Sequence, residues 1–165
     1  MSSMLLIMLG VLLAVLIAGV VLFVGGMRMR HPFLLRPLFG LMRAQLNPRS
    51  LRTAGTPGSD ASIIRHRGRV SGRDLETPVG VVRTDDAFLI ALPYGTHAQW
   101  VRNVLASGAA TIVHDGAVRK VDRPEIVPMR SVASAFTPGD LRLGRLLRTD
   151  ECLRLLPVSG DDGTA

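Results

Sequence analysis

The chain has 165 residues, 47% of them hydrophobic and 4% aromatic, and carries a formal charge of +7 from 20 basic and 13 acidic side chains. Its single cysteine, Cys152, excludes an intramolecular disulfide and a cysteine-built zinc site, agrees with a reducing compartment, and is expected to be a small core residue. The charge is unevenly spread: six arginines fall in residues 27–52 with no acid among them, leaving 14 basic against 13 acidic residues elsewhere, and with so few aromatics to stack on bases a nucleic-acid partner is not expected.

In chain order, the first feature is an uncharged apolar run from Leu5 to Val24. At about 1.5 Å per residue it is as long as the hydrocarbon core of a bilayer is thick, so residues 1–26 read as a single transmembrane anchor. A cleavable signal peptide fits less well, because Met1 to Met4 carry no basic side chain and Val24-Gly25-Gly26-Met27 is a poor cleavage site. Residues 27–52 form a basic juxtamembrane segment with Arg28, Arg30, Arg36, Arg43, Arg49 and Arg52, which by the positive-inside rule lies on the cytoplasmic side. The expectation is a single-pass cell-membrane protein that meets lipid through residues 4–52, with its soluble domain in the cytoplasm. Phe33, Leu34, Leu35, Leu38 and Phe39 among the arginines suit the headgroup plane, although Pro32, Pro37 and Gly40 interrupt any continuous helix.

Residues 53–60 read as a linker, 61–158 as one domain and 159–165 as a disordered tail. Within the domain, Ser62 to Arg67, Thr77 to Thr84 and Ala87 to Leu92 carry strand signals, with Asp85-Asp86 as a turn, and the simplest arrangement is a three-stranded meander. Thr96 and Gln99 have the spacing of a capping box that opens a helix closed by Gly108, with Trp100, Val101, Val104 and Leu105 on one face. Asp115-Gly116 between Thr111–His114 and Ala117–Val121 predicts a tight hairpin. A helix near Met129 to Phe136, a basic stretch with Arg142, Arg145 and Arg148, and a last strand over Cys152 to Val158 complete the reading. Many short strands around one or two helices predict a mainly β (α+β) domain, a small closed or half-closed antiparallel barrel.

For chemistry, there is no dinucleotide fingerprint, P-loop or H-E-x-x-H motif, and Gly68-Arg69-Val70-Ser71-Gly72 has its serine one place late for a nucleophile elbow. His66, His97 and His114 are scattered, so each reads as a surface or half-buried polar residue and no metal is expected. No catalytic residue can be assigned. Two candidates for binding remain. The first is the turn Arg65 to Arg73, where arginine forks and glycine-freed amides suit an anion; the alternative is a solvated basic hairpin tip. The second is Pro93-Tyr94-Gly95 before the helix, whose unpaired N–H groups would suit a planar ring's carbonyls, with Trp100 and Asn103 three apart on the helix.

His66-Arg67-Gly68-Arg69-Val70-Ser71-Gly72-Arg73, Thr77-Pro78-Val79, Pro93-Tyr94-Gly95 and Trp100-Val101-Arg102-Asn103-Val104 resemble, in order and spacing, the deazaflavin (F420)-dependent nitroreductase family, over roughly Leu46 to Val127. The resemblance implies a split β-barrel oxidoreductase using coenzyme F420 rather than FMN. It implies that Arg67, Arg69, Ser71 and Arg73 bind the acidic tail, and that Pro93, Tyr94, Gly95, Trp100 and Asn103 hold the ring. Val70 and Leu75 stand where the family often has basic residues, which predicts a weaker grip on the tail. The expected reaction is hydride transfer to a small apolar acceptor such as a quinone or enone; the alternatives are a membrane-tethered carrier of fatty acid, flavin or haem, and a structural adaptor. A homodimer covering an exposed sheet face is also expected.

Overall fold

A computed structural model describes residues 2–29 and 51–158. The expectations for the juxtamembrane segment and the tail therefore fall almost wholly outside the described residues. Helix α1 (Ser2–Met29) contains the stretch Met4–Leu22, with a mean hydropathy of 3.2 and no part of it buried against the protein, apolar and long enough to cross a membrane.

The domain is built from seven strands and two further α-helices: β1 (Ser62–Arg67), β2 (Asp74–Val79), β3 (Val82–Arg83), β4 (Phe88–Ala91), α2 (Gln99–Ser107), β5 (Ala109–His114), β6 (Ala117–Pro128), α3 (Pro138–Leu147) and β7 (Glu151–Pro157). All pairings are antiparallel, in the order β2-β1-β5-β6-β7-β4-β3. β2 and β3 thus occupy opposite edges, yet only Gly80 and Val81 separate them in the chain. Three residue steps span at most about 10 Å, so the sheet must curl until its edges nearly meet. This is the expected split barrel. The three-stranded meander is corrected, because β2 turns away at Gly80 and pairs only with β1.

Curling gives the sheet an inner and an outer face, and β4 and β7 are buried on both. Phe88, Ile90, Leu153 and Leu155 point inward to join Ile64, Val101, Val104, Ile112 and Val121. Leu89 and Cys152 point outward with Ala87, Val127, Met129 and Phe136. The outer cluster explains residues 128–147: two 3-10 turns at Met129–Ser131 and Ala133–Ala135, in place of the predicted helix there, lead into α3 and cover that face. Cys152 is fully buried, as expected, and burial pushes its thiol up to about 11.

Local signals account for several joins. Asp115 and Gly116 both take positive φ, 50° and 78°, which forms the predicted hairpin turn. A side chain at Gly116 would have its Cβ 3.0 Å from Pro57, and the Gly116 N–H donates to Gly55. The segment read as a linker is therefore packed on the hairpin. Gly108 ends α2 in the left-handed conformation, as predicted. The Thr96 capping box does not form: the N-cap is Ala98, with no side-chain bond, and the helix begins only at Gln99.

Candidate functional site

The chain leaves β4 at Ala91, buries Leu92, and reverses through Pro93-Tyr94-Gly95, where the Gly95 N–H donates to Leu92 O at 2.9 Å. That bond uses one of the amides expected to face a ligand. Between this turn, the end of β2 and the start of α2 lies a cleft of about 140 Å³ lined by Pro78, Val79, Gly80, Ile90, Ala91, Leu92, Pro93, Tyr94, Gly95, Ala98 and Trp100. It opens at the seam where the sheet's edges approach. Trp100 is half-buried: it packs on the inner cluster and also forms one wall. Burial raises the Tyr94 hydroxyl above its ordinary value, so it stays protonated as a donor at neutral pH.

The flank of α2 next to the cleft is polar. Asn103 is buried, and its Oδ1 accepts from the Arg69 backbone N–H at 3.3 Å and from Arg69 Nη1 at 3.1 Å. Nη1 of Arg69 also donates to Gln99 Oε1 at 2.8 Å. The Asn103 Nδ2 lies 3.3 Å from His66 Nδ1, and His66 Nε2 lies 3.2 Å from Thr77 Oγ1. Since Nδ2 can only donate, His66 Nδ1 accepts and its proton sits on Nε2, directed at Thr77. Burial lowers the imidazole's pKa and favours this neutral form. His66 is thus neither a surface nor a half-buried residue as expected but a buried link.

The arginines of the turn have different tasks. Arg65 pairs with Glu76 at 2.8 Å across β1 and β2. Arg67 Nε donates to Gly72 O at 3.0 Å and Ser71 Oγ accepts from the Arg73 N–H at 3.4 Å, both within the turn. Gly68 is buried with no room for a Cβ beside Ser71 Oγ. Arg73 is exposed, and among the described residues its side chain has no partner, while Val70 projects fully into solvent.

The structure therefore gathers Pro93, Tyr94, Gly95 and Trp100 in one cleft and ties Arg69 to Asn103 behind it. Asn103 does not line the cleft. Gln99, His66, Thr77 and Pro78 to Gly80 were not named as site residues from sequence, although His66 and Thr77-Pro78-Val79 belong to the motifs that carry the resemblance. His66 had a signal: it falls two and four residues after the buried Ile64 and Ser62, on the same strand face. Turn and cleft are joined by β2, whose Asp74 and Pro78 lie about 13 Å apart along the strand, and by the first turn of α2. A ligand reaching both is elongated, with a flat apolar end and an anionic end. Among the described residues, no group of three or more His, Cys, Asp or Glu could hold a metal ion.

A half-open antiparallel barrel with an apolar cleft at its seam and a basic turn beside it is the architecture of a split-barrel binding protein. The sequence model of the F420H(2)-dependent quinone reductase family matches residues 46–127, just under half of the chain, and over this part the chain is similar to that family of F420-dependent reductases. No curated protein matches the chain. Among solved structures, it is similar to an F420 reductase (14% identity, covering 66% of this chain and 92% of that one, TM-score 0.41) and to the F420-H2 dependent reductase FDR-A (13%, 58% and 93%, 0.42). It is also similar to HutZ, a heme storage protein from Vibrio cholerae (13%, 62% and 84%, 0.44).

Proposed function

We propose that this protein is a membrane-tethered reductase that uses reduced coenzyme F420 to transfer hydride to an apolar, membrane-dissolved acceptor of the quinone or enone class. The observation that carries the reading is the pairing of an apolar cleft with a wired basic turn on adjacent flanks of α2. The residues fit the coenzyme's two chemistries. The cleft is below the roughly 300–1,000 Å³ of pockets that enclose a small molecule, so it takes one edge of a flat ring and leaves the rest open to an acceptor. Trp100 and Pro93 supply flat apolar walls, and the Tyr94 hydroxyl supplies a donor. Arg73, with the remaining donors of Arg67 and Arg69, offers guanidinium forks to the acidic tail. Bound there, the deazaflavin supplies a two-electron hydride donor, and the protein's part is to position and polarise.

Asn103 acts one step back, holding Arg69 by two bonds. Val70 and Leu75 place no charge near the turn, so the grip rests on three arginines. α1 supports the tether, and the six arginines of residues 27–52 favour a cytoplasmic domain. Holding the domain at the bilayer raises the effective concentration of lipid-soluble acceptors.

The test uses the full chain in lipid nanodiscs, titrated by fluorescence with coenzyme F420 and, separately, FMN and haem. Saturable binding of F420 in preference to the others, with oxidation of the reduced coenzyme by a lipid-soluble quinone, is expected. Changing Arg73→Ala should weaken F420 binding roughly tenfold, as befits one lost charge-assisted contact, without shifting the melting temperature. Haem binding in the absence of F420 binding would replace the enzyme by a carrier.

A further inference from the structure

Helix α3 is fixed at both ends. Thr137 Oγ1 accepts from the Asp140 N–H, and Asp140 Oδ2 accepts from the Thr137 N–H at 3.1 Å, a reciprocal capping box; at the far end Arg148 takes a positive φ of 54°. Leu141, Gly144 and Leu147 are half-buried and form the side that faces the domain, with Leu141 packed on the outer cluster. At about 100° per residue, Leu143 and Leu146 fall three apart on the side turned away, with Arg142 and Arg145 beside them. Leu143 is 56% exposed and Leu146 48%.

One exposed leucine is ordinary on any protein surface. Two adjacent ones flanked by arginines make the pattern of a helix lying in the headgroup plane, leucines down and guanidiniums reaching up to phosphate. The helix's one acid, Asp140, lies in its first turn, where its carboxylate accepts from Thr137 in the cap, while Arg142 and Arg145 follow in the next two turns.

The neighbour of α3 indicates which surface this is. α1 contacts α3, and among the residues of α1 whose burial is described Val24 and Gly25 are partly covered, just beyond the apolar stretch Met4–Leu22. Val24 is about 3 Å past Leu22 along the axis, the depth at which hydrocarbon gives way to headgroups if α1 spans the bilayer.

We propose that α3 is a membrane-surface helix: Arg142 and Arg145 bind anionic phospholipid headgroups while Leu143 and Leu146 sink beneath them. This gives the domain a second lipid contact and a fixed orientation on the bilayer, and it rests on the reading of α1 as a span. The test labels variants of the full chain that each add one exposed cysteine, Leu143→Cys, Val15→Cys in α1 and Val118→Cys on the β5–β6 hairpin, with an environment-sensitive fluorophore under native conditions, where Cys152 is fully buried, and the unsubstituted chain serves as the labelling control. The chains are reconstituted in phosphatidylcholine vesicles with or without phosphatidylglycerol, and quenching by doxyl-labelled lipids is measured. Shallow-doxyl quenching at position 143 several-fold above that at 118, greater with phosphatidylglycerol and abolished by Arg142→Glu with Arg145→Glu, is expected. Equal quenching at 143 and 118 with deep quenching at 15 overturns the α3 proposal alone. No quenching at 15 or 143 overturns both it and the span, whereas quenching at 143 alone removes the span and keeps the surface contact. A blue-shifted label at 143 that doxyl lipids do not quench means a second copy or another protein covers the leucines, and overturns the proposal.

Discussion

Two adjacent flanks of α2 are built by opposite means. On one, Ala98 and Trp100 form a cleft wall that shares Ile90, Leu92 and Val79 with the inner core, so part of the cleft's shape is a consequence of packing. On the other, Asn103 and Gln99 hold the basic turn by a few side-chain hydrogen bonds, and the turn's tip, with Val70 bare, touches little else. A packed wall cannot be altered without disturbing the fold, because interiors are filled to crystal-like density. A wired turn can be loosened while the barrel stands. On the proposed reading, the pair separates, within one helix, a ring-binding cleft fixed by stability from an anion-binding turn free to vary.

The sharpest way to break this contrast is at Ile90, which belongs to both the cleft and the core. Ile90→Ala should destabilise the protein by about 2–5 kcal/mol, the usual range for emptying a fully packed aliphatic site, and should weaken coenzyme binding in parallel. Chemical denaturation with fluorescence titration reads both quantities. If binding survives while stability falls by that amount, cleft and core are not one structure.

Next in size is Asn103→Ala. It leaves Arg69 without one acceptor and His66 without the donor that fixes its tautomer, two polar groups that lose partners at a buried position. The expected cost is about 1–3 kcal/mol of stability. Because Arg69 also keeps Gln99, the turn should loosen without leaving, so the binding loss should exceed that of Gln99→Ala. Equal losses in the two variants would show that Asn103 is a core residue without a part in the grip.

How much of this was legible follows from which interactions are local. The hairpin at Asp115-Gly116, the turn at Asp85-Asp86, the closing Gly108 and the last strand are each specified by a few adjacent residues, and the structure has them; Thr84 Oγ1 even accepts from the Ala87 N–H to lock the second of these. The meander failed because edge pairing in a curled sheet is decided by strands far apart in sequence, and Gly80 looks the same in either topology. The capping box at Thr96 failed because the Leu92–Gly95 turn closes first and carries the chain one more bend before the helix begins. The box that does form, at Thr137 and Asp140, uses the shorter Asp in place of Glu or Gln and was passed over. For the site, motif order located the turn and the cleft, whereas the Arg69–Asn103–His66–Thr77 chain runs across three elements and only the alternation of β1 pointed to His66.

The smallest effect is the one that tests the wiring most directly. His66 is buried neutral with its Nδ1 turned to an amide donor, so a proton there would set two N–H groups against each other. Asn103 cannot answer by rotating its amide, because its oxygen already receives Arg69 twice. The folded protein therefore binds this proton less tightly than the unfolded chain, whose imidazole keeps its ordinary value of 6.5. The unfolded state takes up more protons as the medium becomes acidic, so the contribution is complete above about pH 6.5 and is lost as pH falls through the lower folded value. Chemical denaturation of the wild type and His66→Gln between pH 7.5 and about pH 5 should show a steeper acid loss in the wild type, because glutamine cannot titrate there. Identical slopes would mean that the histidine is not fixed by this chain of bonds, and that the turn is held to α2 by Arg69 alone.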